Sequence, residues 1–299
     1  MTLNSIPEDE TPEFTLGEVV RKTGLSKLVL HAWERRYEAV VPDRSPTGRR
    51  LYSEKQIQKL QLLKLCTENG HRIGKIAHLS LSELRSVAAH HQRLRELAPV
   101  LDAINALDDA GLDHMLTDYY ERLGAVEFCK TVAVPLLREV GELWAEGKLP
   151  VSAEHMTSAH IRSLLGKFLS EPAPQGGVTG LFTTLSGELH EIGTLMAAVL
   201  ARAKGCKVVY LGPQLPNEEI IEAAAMAGAR FICLSSLIRR GSKGVRVAAK
   251  LRQGLPRSVE LWLGGPGFAE TPLQPGMRYF ESLEEFEKSL AAFFLPQQA

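Results

Sequence analysis

The sequence predicts a multi-domain protein of α and α/β class, in which mainly helical segments precede a parallel sheet. Three observations support this prediction: a basic segment with helix-capping signals at residues 14–92, purely helical periodicity at 93–171, and strands alternating with helices at 178–299. Such alternation is typical of a parallel sheet covered by helices. An acidic tail at 1–13, expected to be disordered, and a linker at 172–177 complete the predicted organisation.

The charge of the chain is unevenly distributed. Overall, 35 Lys and Arg residues balance 35 Asp and Glu residues, but residues 14–93 contain 15 basic and 7 acidic side chains. A basic segment on a mildly acidic body is typical of a nucleic-acid-binding domain joined to a second domain.

The composition argues against a membrane protein and a disulfide-rich protein. No apolar run approaches the roughly 20 residues that a transmembrane helix needs, and the N-terminus lacks a basic-then-apolar signal pattern. We therefore expect a cytoplasmic protein. The four cysteines are widely spaced within apolar patterns and are expected to pack as small buried residues: Cys66, Cys129, Cys206 and Cys233.

Two short helices open the basic segment. A capping box at residues 15–18 starts the first helix, residues 23–25 form a turn, and Ser26 caps a second helix from Lys27 to about Tyr37. Two such helices joined by a tight glycine-containing turn form a helix-turn-helix. The inner face of the second helix is expected to consist of three residues at helical spacing: Leu30, Trp33 and Tyr37.

A predicted β-hairpin wing and a longer helix follow. Residues 40–52 contain prolines, the turn signal Thr47-Gly48 and the pair Arg49-Arg50, which suits a hairpin lying on a phosphate backbone. A capping box at 53–56 opens a helix to about Glu68. Residues 14–90 resemble the winged helix-turn-helix of the MerR family through three motifs: Trp33-Glu34-Arg35-Arg36-Tyr37, Gly48-Arg49-Arg50-Leu51-Tyr52 and Gly70-His71-Arg72-Ile73-Gly74-Lys75-Ile76-Ala77.

This resemblance implies binding to a double-stranded DNA operator, with the second helix in the major groove and the wing against the backbone. The four arginines of the first two motifs are expected to carry much of the salt-dependent affinity. Tyr37 and Tyr52 could reach phosphates, although Tyr37 could equally belong to the core. The candidate DNA-binding residues are Lys27, His31, Arg35, Arg36, Tyr37, Arg49, Arg50 and Tyr52.

Helical periodicity from 94 to 169 predicts a four-helix bundle. Pro135 lies inside this pattern and marks a kink or a helix start. Another helix begins near Ser152, and its interior residues are expected to be His155, Ala159, Ile161, Arg162 and Leu165.

Trp144 stands nine residues before the pair Glu154-His155. Taken alone, a tryptophan is more typical of a core residue. However, Trp144 precedes a loop that contains Gly147 and Pro150, and Glu154-His155 opens the next helix. A tryptophan and two polar groups at the mouth of a bundle could cover a flat ligand.

The last segment predicts a Rossmann-like (flavodoxin-like) domain with a five-stranded parallel sheet and right-handed crossovers. The expected strands are 178–184, 207–212, 230–235, 259–264 and 277–280, and the expected helices are 191–204, 216–227, 242–254 and 282–294.

A candidate ligand site lies where the first of these strands ends. His190 follows that strand, at the edge where open α/β sheets bind ligands. Glu188 could orient its imidazole as carboxylates do for metal-bound histidines, and Gly193 would let a bulky ligand approach the next helix. In isolation, His190 could equally be an ordinary polar loop residue.

Two other strand ends are rich in small residues. Ser235-Ser236-Leu237 ends one strand, and Gly264-Gly265 ends another, leaving room beside the backbone at the same edge of the sheet. Alone, the glycine pair would be an ordinary turn. The segment contains neither a P-loop nor a G-x-G-x-x-G dinucleotide fingerprint.

Together these motifs resemble the D-x-H-x-x-G, S-x-L and G-G pattern of the cobalamin-binding domain of methionine synthase and related corrinoid proteins, with Glu188 in place of aspartate. The resemblance implies His190 as the lower axial cobalt ligand. It implies a slot for the cofactor's tail lined by Ser235, Leu237, Gly264 and Gly265.

Trp144 with Glu154-His155 resembles the helical cap of light-responsive, adenosylcobalamin-dependent MerR-type repressors. This resemblance implies that these three residues cover the upper face of adenosylcobalamin. It also implies a homo-oligomeric regulator, dimer or tetramer, rather than an enzyme.

One position departs from that family. A histidine that follows the capping tryptophan takes the upper axial position after photolysis in the light-responsive repressors, and here that position is Ala145. Alanine cannot ligate cobalt. The alternatives are therefore a regulator that senses cobalamin or redox state without light, a corrinoid methyl-carrier subunit, and a MerR-type regulator with an empty sensory domain.

Overall fold

The computed structural model describes residues 11–172, 177–239 and 241–294, and the chain divides into two compact units, Met1–Glu96 and Leu97–Ala299. Most of the expected disordered tail and residues 173–176 of the expected linker lie outside the described residues.

The first unit contains the expected order of helix, helix, wing and helix. Its elements are β1 Phe14–Thr15, α1 Leu16–Thr23, α2 Lys27–Tyr37, β2 Asp43–Arg44, β3 Arg50–Tyr52, α3 Glu54–Glu68, α4 Ile73–Ile76 and α5 Leu81–Glu96. The predicted capping interactions are present: the Thr15 backbone N–H donates to the Glu18 carboxylate at 2.7 Å, and the Ser26 hydroxyl accepts from the Val29 N–H at 3.2 Å. These bonds satisfy backbone groups that a helix end leaves unpaired.

The wing is held by a strand that the sequence pattern did not indicate. Strands β2 and β3 form the expected antiparallel hairpin, and β1 pairs with the other side of β3, with Phe14 opposite Tyr52. A helical core forms beneath it, in which Leu30 and Trp33 are buried as predicted. Tyr37 is partly exposed rather than internal, because α2 ends there and its ring lies over Gly74.

Four helices open the second unit: α6 Ala98–Asn105, α7 Asp109–Phe128, α8 Val134–Ala145 and α9 Val151–Ser170. Pro135 lies in the first turn of α8, where its missing N–H costs no helical bond. A π-helical turn, Cys129–Ala133, joins α7 to α8. These helices form the expected bundle.

The predicted interior of α9 was partly wrong. Ile161 and Leu165 are buried, but His155, Ala159 and Arg162 are exposed. The buried stripe repeats every four residues and begins with two small side chains: Ala153, Thr157, Ile161 and Leu165. Residues three or four apart share one helix face, so this stripe turns His155 and Ala159 away from the core.

The parallel sheet matches the predicted strands to within two residues. The elements are β4 Thr179–Thr183, α10 Ile192–Ala203, β5 Lys207–Tyr210, α11 Asn217–Ala227, β6 Phe231–Ser235, α12 Gly241–Gly254, β7 Glu260–Gly264, β8 Met277–Phe280 and α13 Leu283–Phe294. The spatial order β5-β4-β6-β7-β8 is the flavodoxin-like arrangement. One face of the sheet packs on α10, α13 and the bundle, and the other packs on α11 and α12.

The four cysteines are buried and unpaired, as predicted. Burial raises the pKa of the Cys206 thiol to about 11 and that of Cys129 to about 12, which keeps both as thiols. Among the described helices, none combines the length and apolar character that a membrane span requires.

Candidate functional site

The site lies at the switch point of the sheet. Strands β4 and β6 are neighbours, and the chain leaves β4 toward one side of the sheet and β6 toward the other. Open α/β sheets bind ligands in the crevice that this divergence creates at the carboxyl ends of the strands. The loop after β4 carries Glu188 and His190, the loop after β6 carries Ser236 and Leu237, and Ser235 pairs in register with Gly264.

Glu188 is a buried carboxylate that joins the first two loops. Its Oε1 atom accepts from the His190 backbone N–H at 3.1 Å and contacts His190 Nδ1 at 2.6 Å. Its Oε2 atom accepts from the Ser236 hydroxyl at 2.6 Å and from the backbone N–H groups of Leu237 and Ile238 at 3.0 and 3.1 Å. Both oxygens are therefore fully used as acceptors.

These donors determine the protonation state of Glu188. Burial by itself raises the pKa of this carboxyl group, but the hydrogen bonds from Ser236, Ile238 and His190 outweigh burial and hold the pKa below its ordinary value. Backbone N–H groups cannot act as acceptors, so Glu188 faces them as an ionised carboxylate.

The carboxylate in turn fixes the tautomer of His190. An acceptor at 2.6 Å requires Nδ1 to carry the proton, which leaves the lone pair of a neutral imidazole on Nε2. The His190 side chain is 51% exposed, and its Nε2 has no hydrogen-bond partner among the residues that the structure describes. His190 is therefore oriented as a metal ligand with an open coordinating atom.

Within the described ranges, no group of three or more His, Cys, Asp or Glu side chains could hold a bare metal ion. A single oriented imidazole suits a metal whose other ligands belong to a cofactor ring, as in haem proteins.

The small residues at the strand ends leave space beside this histidine. A Cβ atom at Gly193 would lie 3.3 Å from the Ser235 hydroxyl, which itself lies 2.5 Å from the Thr194 hydroxyl. Gly265 has a φ of +83°, and a Cβ atom there would lie 2.6 Å from the Ser236 carbonyl oxygen. Beside Gly264 the nearest atoms would be 3.9 Å away. The backbone therefore remains accessible to a bulky ligand at this edge.

Three residues of the site were missed by the sequence analysis. Ser236 lies within the Ser235-Ser236-Leu237 segment, but its hydroxyl was not identified as the partner of Glu188. Glu191 is buried beside His190, accepts from the Tyr210 hydroxyl at 2.6 Å and pairs with Arg162 of α9 at 2.6 Å. This ion pair fastens the bundle to the histidine loop, which explains why Arg162 is not internal. Adjacent charges at 188 and 191 were the available signal.

The proposed cap residues lie at the facing ends of two bundle helices. Trp144, near the end of α8, is 52% exposed, which excludes the alternative that it fills the core. In the first turns of α9, His155 Nδ1 lies 2.5 Å from the Glu154 carboxylate, which also accepts from Ser158 at 2.8 Å. The described residues show no direct contact between this group and His190.

The candidate DNA interface is divided between accessible and inaccessible residues. Lys27, Arg35, Arg36 and Arg49 are exposed on α2 and the wing. Arg50 pairs with Glu34 at 3.2 Å and is half-buried.

Tyr52 was wrongly predicted to reach phosphates. It is fully buried, because β3 lies between β1 and β2, and its hydroxyl donates to Glu34. His31 is partly buried, and its Nε2 atom is covered and has no hydrogen-bond partner in the described structure, so it reaches no DNA from this rotamer.

Three family models match the chain. Residues 14–83 match the model described as MerR HTH family regulatory protein, and residues 97–167 and 178–292 match two models described as B12 binding domain. The HTH-type transcriptional repressor CarH of Myxococcus xanthus is 31% identical over 81% of this chain and 85% of its own length. The repressor CarA of the same organism is 31% identical over 89% and 92%.

A solved structure supports the fold of the second unit. The monomethylamine corrinoid protein of Methanosarcina barkeri superposes with a TM-score of 0.53 at 19% identity, covering 64% of this chain and 96% of that protein. At this identity the likeness concerns the fold alone.

Proposed function

The chain belongs to the MerR-type transcriptional regulators that carry B12-binding domains, the family of CarH and CarA, and we propose that cobalamin sets its affinity for operator DNA. In this proposal the protein is a repressor rather than an enzyme, and adenosylcobalamin is its effector. The observation that supports it most strongly is the oriented, half-exposed His190 at a glycine-lined sheet edge, in a chain that also presents a basic helix-turn-helix.

We assign each part of the site a role toward the cofactor. His190 Nε2 would be the lower axial ligand of cobalt, and the Glu188 carboxylate would keep Nδ1 protonated and make the imidazole a stronger ligand. Ser235, Leu237, Gly264, Gly265 and Gly193 would line the slot that takes the cofactor's tail.

Trp144, Glu154 and His155 would cover the opposite, upper face. The exposed Trp144 ring offers a flat apolar surface, and the neighbouring carboxylate and imidazole offer hydrogen-bonding groups for an adenosyl substituent. Adenosylcobalamin, when bound, supplies a cobalt–carbon bond that light can break. The Arg162–Glu191 ion pair would keep α9 in place over the histidine loop.

Operator affinity would follow from assembly. A ligand that stabilises one homo-oligomer, dimer or tetramer, brings several DNA-binding units to one operator, and linked binding units gain avidity without new contacts. Loss of the adenosyl group would release the contacts on the upper face and shift the assembly.

The test is to measure molar mass in solution with and without adenosylcobalamin, in the dark and after green light. We expect adenosylcobalamin to increase the mass in the dark and light to reverse the increase. The Glu154→Gln variant, which keeps size but removes the charge beside His155, should respond less. A mass that is the same in all four conditions would contradict the proposal.

A second candidate function follows from Ala145. Without a histidine at this position, the chain lacks the group that completes the light state of the light-responsive repressors, so the protein could sense cobalamin or its redox state without light. In that case adenosylcobalamin would still change the mass, but illumination would leave the change in place. The Ala145→His variant distinguishes the two functions, because it should create a stable light state only where none exists in the wild type.

A further inference from the structure

The first turn of α2 carries an unusually exposed aliphatic side chain. Leu28 is 82% exposed, whereas Leu30 and Trp33 of the same helix are buried in the core of the first unit. Scattered exposed apolar residues are common and need no explanation by themselves. The surroundings of Leu28 supply one.

Leu28 lies on the outer face of α2, opposite its buried face. Residues four and seven positions later share this face, and they are Ala32 and Arg35. The helix therefore presents an aliphatic patch at its start and a cation at its end. Lys27 beside the patch is also exposed.

This charge pattern identifies the surface that Leu28 fits. Met226 on α11 is also 82% exposed, but its neighbour four residues earlier on the same face is Glu222. Leu28, in contrast, is surrounded by cations and no acidic residue of its own face, which suits a polyanion rather than a protein or a membrane core.

We propose that Leu28 reads a thymine in the operator by contact with its C5-methyl group. This inference rests on the proposed function, since it requires α2 to enter the major groove. The thymine methyl is the apolar feature that the major groove presents, and small aliphatic side chains are its usual partners. Lys27 and Arg35 would position the helix through phosphates, and Leu28 with Ala32 would contribute sequence preference.

The experiment uses the full chain with adenosylcobalamin in the dark. Its preferred duplex is first selected from a random pool, and each thymine is then replaced by deoxyuridine, which removes only the methyl group. We expect one thymine in each half-site to be sensitive, with about a fourfold loss of affinity, the size expected for one methyl group withdrawn from an apolar contact. Substituting both half-sites should multiply the two losses.

Leu28→Ala should bind the thymine duplex about as weakly as the wild type binds the deoxyuridine duplex, and should lose sensitivity to the substitution. Met226→Ala, the control of equal exposure, should keep the wild-type sensitivity. Because Leu28 makes no core contact, circular dichroism and the unfolding midpoint should be unchanged in Leu28→Ala. An unchanged thymine-to-uracil ratio in Leu28→Ala overturns the inference and leaves the proposed function standing. A wild-type chain that selects no duplex overturns the proposed function, and the inference falls with it.

Discussion

The carboxylate of Glu188 offers the sharpest test of how the site prepares His190. The substitution Glu188→Gln keeps the size of the side chain and removes its charge. In the wild type, two donors face Oε1 and three face Oε2. An amide has one acceptor oxygen, so it can serve only one of these two groups.

The larger group of donors should determine the orientation of the amide. Its oxygen would face Ser236, Leu237 and Ile238, and its NH₂ group would face His190. The backbone N–H of His190 would then meet another donor and lose its bond, which costs about 1–3 kcal/mol when the donor is left unpaired. We expect the unfolding free energy to fall by this amount.

The larger effect concerns the imidazole. A donor at Nδ1 turns that nitrogen into an acceptor and moves the ring proton to Nε2, so Nε2 loses the lone pair that would bind cobalt. Loss of such a supporting partner typically lowers metal affinity 10- to 100-fold, which corresponds to about 1.4–2.8 kcal/mol. We expect cobalamin affinity to fall within this range.

The assay is an absorption titration with cobalamin, combined with urea unfolding of the same samples. Glu218→Gln is the matched control, because Glu218 is an exposed carboxylate on α11 that pairs with Lys250 at 3.7 Å and lies outside the site. His190→Ala gives the spectrum of a site without the axial imidazole. If Glu188→Gln binds cobalamin with the wild-type affinity and spectrum, the proposed role of the carboxylate is wrong.

Three further predictions follow from the same contacts. Because the pKa of Glu188 lies below its ordinary value, 4.5, its contribution to stability is complete above that pH and is lost as the pH falls through the folded-state value; urea unfolding below pH 4.5 should therefore weaken the wild type more than Glu188→Gln, and equal slopes would contradict this. Gly265→Ala should lower the unfolding free energy by about 1–2 kcal/mol from its left-handed backbone alone, and an unchanged urea midpoint would count against the close approach to Ser236. Arg49→Ala should reduce the slope of log affinity against log salt by about 1, whereas Tyr52→Phe should leave it unchanged because the ring is buried; fluorescence anisotropy with operator DNA at several salt concentrations measures both.

Much of the fold could be predicted from sequence because its signals are local. Capping boxes mark the starts of α1 and α3, and apolar runs separated by helical periods mark β4 to β8. The two-residue strand β1 carries no such signal, since its pairing with β3 depends on contacts 37 residues away. For that reason the burial of Tyr52 could not be anticipated.

The site was predictable where its residues are close in sequence. Glu188 and His190 are two residues apart, so their interaction follows from spacing, but Ser236 reaches Glu188 across 48 residues and only the sheet topology brings them together. The face of α9 was misjudged for a related reason. Its buried stripe contains Ala153 and Thr157, which are weakly apolar, and the salt bridge to Glu191 holds Arg162 at the outside.

The most direct test of the central claim is operator affinity in the dark, with and without adenosylcobalamin, for the wild type and for His190→Ala. The account predicts that adenosylcobalamin changes the wild-type affinity by tenfold or more through multivalent binding, and that the variant binds DNA with one affinity in both conditions. Equal affinities for the wild type with and without the cofactor, or a full response in His190→Ala, would contradict it.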